Sequence, residues 1–355
     1  MRGKKFTKLS RKELRDNAVG WFWLIFFTGV AMVLASHLSD SYKAEVEIGG
    51  APVKINFVGD IMMSRYVGTQ IAKSEDNTWP FREMAELLSK ADFTVGNLEA
   101  PFYDNAKEVR TGMVFEVRPE YVEGLQSAGF DFLSLANNHF NDHGTDGMEF
   151  TFKHLLESGI KYFGAGNNEN EAYEPVVFEK NGVRFAMVGF TDISAGYTRA
   201  LAFKPGTAPL TEERLSWSIT ERSINQEKAD IVIAFPHWGE EYESEPTSHQ
   251  REMAHAMIDA GADLVVGAHP HVIQPIEYYN GGLIIYSLGN FVFDQGFIRE
   301  TNQGIIARVA FNKDGVAGAE FLPIHIHDFG QPRLAEGDEV NEILDQLQLP
   351  EPEEV

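Results

Sequence analysis

Leu264-Val265-Val266-Gly267-Ala268-His269-Pro270-His271 is the stretch from which the fold can be read. Three apolar residues of strand character run into two small ones and then into a pair of imidazoles around a proline. Pro270 has no amide donor and cannot continue inside a central strand, so it stiffens a loop that presents both histidines. In open α/β sheets, ligands gather where such loops leave the carboxyl ends of strands. Moving outward along the chain, the same arrangement recurs. Ile55-Asn56-Phe57-Val58 runs into Gly59-Asp60, and Phe93-Thr94-Val95 into Gly96-Asn97-Leu98-Glu99. Leu133-Ser134-Leu135 leads to Ala136-Asn137-Asn138-His139, and Ile231 to Phe235 leads to Pro236-His237-Trp238-Gly239.

Between these runs the apolar spacing changes to that of helices. Strands are expected at Val53 to Val58, Asp92 to Val95, Phe130 to Leu135, Val183 to Phe190, Ile231 to Phe235 and Leu264 to Val266. Helices are expected at Phe81 to Lys90, Glu120 to Ala128, Gly147 to Ser158, Glu212 to Glu227 and Thr247 to Ala260. Alternating strands and helices imply an α/β protein with a parallel or mixed sheet. From Ile276 to Pro323 the strands lie close together around Asn280-Gly281-Gly282 and Lys313-Asp314-Gly315, both hairpin signals. That region is expected to form the β-rich second half of a two-sheet sandwich. No internal repeat is present.

Composition narrows the chemistry. The 355 residues are 43% hydrophobic, enough for one large core, and carry a formal net charge of -23. A phosphate backbone would be repelled, so nucleic acid is excluded as a partner. Cysteine is absent; thiolate ligands and cysteine nucleophiles are therefore ruled out, and any metal must be held by His, Asp, Glu or Asn.

The basic residues are concentrated at the start. Arg2, Lys4, Lys5, Lys8, Arg11, Lys12 and Arg15 precede an uncharged apolar run from Ala18 to Ala35, close to the ~20 residues a bilayer span needs. The positive-inside bias places the N-terminus in the cytoplasm and the remainder outside. A cleavable signal peptide is the competing reading, with Val33 and Ala35 as small residues before a cut. The long basic region and the length of the apolar run favour an uncleaved anchor. The expected organisation is a basic cytoplasmic segment at 1–17, a transmembrane anchor at 18–36, a linker at 37–52, one domain at 53–330 and an acidic tail at 331–355. The tail is expected to be solvated, with a short amphipathic helix near Val340 to Leu347.

Taken singly, an Asp after a strand caps a turn and an isolated His satisfies a loop. Five successive strand ends carrying carboxylate, carboxamide or imidazole are not what turn chemistry supplies. Together they predict a metal site. A mixed set of Asp, Glu, Asn and His suits Mn, Zn or Fe better than ions that prefer all-oxygen shells. Two such ions about 3.5–4 Å apart would bind and polarise a phosphoryl group and provide a nucleophile. Hydrolysis of a phosphate ester follows from that chemistry. Arg65 is near enough in sequence to bind an anionic substrate, and Asn97 is the other expected substrate-binding residue.

The order Gly-Asp, Gly-Asn-x-Glu, Asn-Asn-His, His-Trp-Gly and Gly-x-His-x-His resembles the calcineurin-like metallophosphoesterase superfamily. In detail it is similar to the CapA branch linked to bacterial poly-gamma-glutamate capsule synthesis. That likeness takes in Asn137-Asn138-His139 with Asp142 and Gly144, and His237-Trp238-Gly239-Glu240-Glu241-Tyr242 with Pro246 and Gln250. It continues through Gly267 to Pro275 and ends in Tyr286-Ser287-Leu288-Gly289-Asn290-Phe291-Val292-Phe293-Asp294. The resemblance spans about Val53 to His327. It implies a four-layer α/β/β/α sandwich and a role in polymer assembly or export with membrane and ligase partners.

Carried over by position, Asp60, Glu99, Asn138, His237, His269 and His271 would be ligands of one or two divalent ions, with Glu99 bridging. His139 would be the general acid, steadied by Asp142. One departure stands out: the superfamily's first motif is Asp-x-His, and the third position here is Met62. A thioether is a poor ligand for a hard divalent ion, so one metal position lacks an imidazole. The resemblance leaves three functions open: a capsule-synthesis component with a phosphoesterase-like centre, a free-standing envelope phosphoesterase, and a non-catalytic scaffold binding polymer through metal.

Overall fold

A computed structural model describes residues 51–104 and 112–349. The basic segment, the apolar run, nearly all of the linker and the last six residues of the tail lie outside the described residues. Among the described residues no helix is long and apolar enough to cross a membrane.

In chain order the strands are β1 (Val53–Ile61), β2 (Phe93–Leu98), β3 (Phe132–Ser134), β4 (Lys161–Phe163), β5 (Ala165–Gly166), β6 (Val176–Lys180), β7 (Val183–Thr191) and β8 (Gly206–Thr207). They continue with β9 (Ile231–His237), β10 (Leu264–Val266), β11 (Ile273–Tyr279), β12 (Gly282–Leu288), β13 (Asn290–Val292), β14 (Gln303–Asn312), β15 (Gly315–His327) and β16 (Gln331–Leu334). One sheet runs β16-β15-β14-β1-β2-β3-β4, with β13 beside the end of β1; the other runs β11-β12-β10-β9-β7-β6. In the first, β1 to β4 are parallel and the C-terminal strands join antiparallel to β1 through β14. In the second, β12, β10, β9 and β7 are parallel and the two edges antiparallel.

Side-chain alternation sets the layers. Ile55 and Phe57 of β1 face Ile233 and Phe235 of β9 and Leu264 and Val266 of β10 across a central apolar layer between the sheets. Val232 and Ala234 of β9 point the other way, beneath α4 (Glu212–Ser216) and α5 (Ser248–Ala260), which bury Leu215, Met253 and Met257. On the outer face of the first sheet lie α1 (Arg65–Ser74), α2 (Val122–Ser127) and α3 (Gly144–Glu157), burying Val67, Leu125 and Phe152. The result is helices, sheet, sheet and helices in succession. Helix α5 starts where its sequence says it should. The Thr247 hydroxyl accepts from the Gln250 amide at 3.1 Å while the Gln250 side chain accepts from the Thr247 amide at 2.9 Å, a reciprocal cap.

Three expectations are corrected. The helix at Phe81 to Lys90 is broken into a 3-10 turn, Trp79–Phe81, and a single helical turn, Ala85–Leu88, with Pro80 inside the first. The strands between Ile276 and Pro323 divide: β11 and β12 enter one sheet, β14 and β15 the other. The domain does not stop at 330. Strand β16 pairs with β15, and α6 (Asp338–Asp345) follows it. Ile343 and Leu347 are fully buried in the central layer, and the Leu347 carbonyl accepts from the Ile276 amide at 2.9 Å. Val340, Ile343, Leu344 and Leu347 share one helical face, so the acidic residues between them take the solvent side.

Candidate metal centre

The parallel strands of both sheets end at one rim. Glycine makes the closest approach there: a Cβ on Gly59 would lie 1.8 Å from the Gly289 carbonyl oxygen. Only glycine lets the end of β1 lie against β13, which brings Asn290 into register with Asp60. Around that contact the loops after β1, β2, β3, β9 and β10 meet.

Asp60 is fully buried, and its two oxygens are used differently. Oδ1 accepts from the Asn97 amide at 2.7 Å; Oδ2 accepts from the His269 backbone amide at 3.3 Å and lies 3.2 Å from His271 Nδ1. Asn97 Nδ2 is also 3.3 Å from His237 Nδ1, and its carbonyl accepts from Asn137 at 3.1 Å. Asn97 is thus a buried positioning amide with both ends engaged. The sequence reading expected Asn97 to bind substrate; the structure places it among Asp60, His237 and Asn137.

Glu99 has the opposite environment. Its side chain is fully buried and neither oxygen has a hydrogen-bond partner. Two sets of ligand atoms converge on it, each within 4.8 Å of one another: Glu99, His237 and His269, and Asp60, Glu99 and His271. Asn138 Oδ1 is 2.8 Å from His237 Nε2, beside the first set. His271 Nε2 lies 3.6 Å from Glu99 Oε1, while its Nδ1 is 3.0 Å from Asn290 Oδ1. All six sequence-derived ligands are therefore brought together, with Glu99 common to both sets.

Electrostatics explains what this pocket lacks. Burial, then repulsion from Asp60, pushes the Glu99 carboxyl well above its usual range. Burial, then the neighbouring imidazoles, holds His237 well below the usual histidine range and brings His269 down to about 3. Neutral imidazoles keep lone pairs free for a cation, and His269 Nδ1 is buried with no partner. Buried polar atoms are nearly always paired, so orphaned carboxylate and imidazole atoms around one point fit a divalent ion. His269 and His271 also sit at φ 100° and 59°, conformations that cost roughly 1–3 kcal/mol each in side-chain-bearing residues.

His139 and Asp142 form a separate pair at the edge. His139 Nδ1 is 2.9 Å from Asp142 Oδ2, and its ring stacks on Phe115 with centroids 3.9 Å apart. The Phe115 backbone amide donates to the same Asp142 oxygen at 2.6 Å. This fixes the ring and leaves Nε2 as the nitrogen not used by Asp142. Arg65 lies over the Phe115 and Phe293 rings, at 4.7 and 5.6 Å, and is ion-paired with Asp294. Its Nη1 donates to the Gly112 carbonyl at 3.3 Å, and its buried Nε has no partner.

Met62 is turned away. It is fully buried in the apolar cluster under the outer helices, and its sulfur accepts from the Ser64 amide at 3.1 Å. The position that an Asp-x-His motif would fill with imidazole is spent on packing. The sequence reading did not single out Asn290, beside His271, or Glu241, which offers a ligand atom within 4.8 Å of those of His269 and His271. Asn290 follows β12 through Gly289, so the strand-end rule that found five loops, applied once more, identifies it.

The family model described as "Bacterial capsule synthesis protein PGA_cap" matches residues 54–295. The PGA biosynthesis protein CapA of Bacillus subtilis (strain 168) is 38% identical over 331 residues, covering 91% of this chain and 84% of the relative. The capsule biosynthesis protein CapA of Bacillus anthracis is 36% identical over 296 residues, covering 80% and 71%. Among solved structures, a novel phosphatase of Mycoplasma pneumoniae superposes with a TM-score of 0.51 at 16% identity, covering 84% of this chain and all of the other. At that identity the likeness concerns the fold.

Proposed function

Because the chain belongs to the family of bacterial capsule synthesis proteins, we propose that it is a membrane-anchored, extracytoplasmic component of capsule or poly-gamma-glutamate assembly with a divalent-metal phosphoesterase-like centre. The anchor is the apolar run within 18–36, with the N-terminus cytoplasmic and the domain outside. Its partners are the membrane and the polymer ligase and membrane subunits of the same assembly. The observation that carries the metal reading is Glu99, a fully buried carboxylate with two unpartnered oxygens among three imidazoles.

Glu99, His237 and His269, with Asn138, would hold one ion; Asp60, Glu99 and His271 would hold the other. Mn, Zn or Fe suits this donor set. Bound there, the metal supplies Lewis acidity to a phosphoryl group. The chain's own residues do the rest. Asp142 holds His139 so that Nε2 can deliver a proton to a departing oxygen. Arg65, held by Asp294 and by the Phe115 and Phe293 rings, offers its unpartnered Nε as an anion donor at the edge.

Elemental analysis of the purified protein should find tightly held Mn, Zn or Fe, absent from the His269→Ala/His271→Ala double variant. A metal-free wild type whose melting is untouched by chelators would remove the centre from the proposal. Manganese-dependent release of p-nitrophenol from its phosphate ester should vanish in His139→Ala. Met62 supports a second reading, a metal-containing polymer scaffold without turnover, because one position has lost its imidazole. A wild type that binds metal but releases no p-nitrophenol, with polymer production that persists in His139→Ala cells, would favour that scaffold. A wild type that hydrolyses the ester, with hydrolysis lost and polymer unchanged in His139→Ala, would favour a free-standing envelope phosphoesterase.

A further inference from the structure

Glu241 lies at the mouth of the centre, on the loop after β9, and has no part in the scheme above. Its carboxylate forms a third set with His269 and His271, the ligand atoms again within 4.8 Å of one another. The three members differ in depth. Glu241 is exposed, whereas His269 and His271 are 4% and 3% exposed. His269 Nδ1 is one of the buried atoms without a partner. The loop carrying Glu241 is held in place at several points. The Tyr242 amide donates to the Pro270 carbonyl at 2.8 Å, and Gln274 Nε2 donates to the Glu243 carbonyl at 2.9 Å. Tyr242 itself is at φ 67°, a conformation a tyrosine adopts only where its surroundings impose it.

We propose that Glu241, His269 and His271 form an outer cation position that captures a hydrated divalent ion at the mouth and passes it to the buried positions around Glu99. The inference rests on the metal reading above and deepens it. His269 and His271 belong both to the outer set and to the inner ones, so the outer and inner positions share imidazoles and are filled in succession. The physical need for such a station is dehydration. An ion entering the Asp60–Glu99 position must give up its water shell in a pocket whose carboxylates are fully buried, and stripping that shell without replacement ligands is costly. An exposed carboxylate replaces the first waters while the remainder of the shell is still in solvent. Two imidazoles then hold the ion while Glu99 and Asp60 take over from behind.

The test is the rate of loading. Metal-free full-length protein is mixed with Co2+ in a stopped-flow instrument and the ligand-field absorption is followed, with equilibrium affinity measured separately by chelator competition. Glu241→Gln should slow association by about tenfold, the low end of the range by which a focused carboxylate field raises on-rates. Its equilibrium affinity should stay within about twofold of wild type, since the inner shell is intact. Glu240→Gln, the same loss of charge on an adjacent exposed residue outside the set, should load at the wild-type rate. Equal association rates in Glu241→Gln and wild type would overturn the inference, as would an affinity loss carried entirely by faster dissociation, which would make Glu241 a resident ligand. A wild type that takes up no Co2+ would fail the metal centre itself, an outcome distinct from either.

Discussion

The two ends of the central strands live under opposite rules. In β9, Ile231, Ile233 and Phe235 fill the layer between the sheets, and two residues on His237 faces a pocket of carboxylates and imidazoles. In β1 the same change occurs between Phe57 and Asp60. Along each strand the chain passes from side chains packed in an apolar layer to polar ones at the rim, where the oxygens of Glu99, just after β2, have no partner. The middle of the sheets stabilises the fold, and the rim draws on that stability to hold polar groups in an unfavourable state. Perturbing the two ends should therefore separate folding from metal binding.

The largest expected effect is in the middle. Phe235→Ala empties a fully buried position between the sheets and should cost about 3–5 kcal/mol in urea unfolding. The metal content of whatever fraction remains folded should be unchanged. If Phe235→Ala lost its metal at temperatures where circular dichroism shows it folded, the separation between middle and rim would not hold.

At the rim, Asn290→Ala should do the reverse. Asn290 Oδ1 sits 3.0 Å from His271 Nδ1, and a hydrogen bond there fixes the tautomer whose Nε2 faces Glu99. Removing such a support costs about 10–100-fold in metal affinity, measurable by chelator competition. Asn290 also donates to the Thr301 carbonyl at 3.0 Å, so Asn290→Asp provides a second check. It keeps the acceptor beside His271 and should retain more affinity than the alanine variant. Equal loss in both would assign Asn290 to loop structure instead.

The sequence revealed much of the rim and less of its boundaries. Parallel strands buried on both faces are short apolar runs, and the residue after each run is exposed to whatever the neighbouring loops present. That is why the loops that carry Asp60, Glu99, Asn138, His237, His269 and His271 were legible in the sequence, while their roles as ligands came from the family resemblance. Direction was not legible. Asn97 and Asn138 look alike in the sequence, yet Asn97 lies within β2 opposite Ser134 and holds Asp60 and Asn137, while Asn138 lies four residues beyond Ser134, with its Oδ1 2.8 Å from His237 Nε2. Arg65 is ion-paired with Asp294, 229 residues away in sequence, a contact no local pattern announces. The C-terminal helix was visible as an amphipathic pattern, but the acidic composition suggested solvent on all sides. Its docking depends on the gap between sheets that Ile343 and Leu347 close.

The smallest effect, and the one that sharpens the comparison most, is a pH dependence in the metal-free protein. Burial raises the Glu99 carboxyl, so the folded chain holds its proton at pH values where the unfolded chain has released it. Stability from this group is complete below the ordinary carboxylate range near 4.5 and is lost as pH rises toward the folded value. His237 and His269 have the opposite sign. Their depressed values mean the folded chain stays neutral where the unfolded chain is protonated, so their contribution is present above about 6.5 and is lost as pH falls. Glu99→Gln removes the first dependence and leaves the second. Metal-free Glu99→Gln should therefore melt above metal-free wild type at pH 7.5, with the gap closing toward pH 4.5, while with Mn2+ present the order should reverse because only the wild type offers the ion the buried Glu99 carboxylate. A Glu99→Gln curve parallel to wild type across that range would mean that Glu99 is already paired in the metal-free protein, and the contrast between the two ends of these strands would lose its main support.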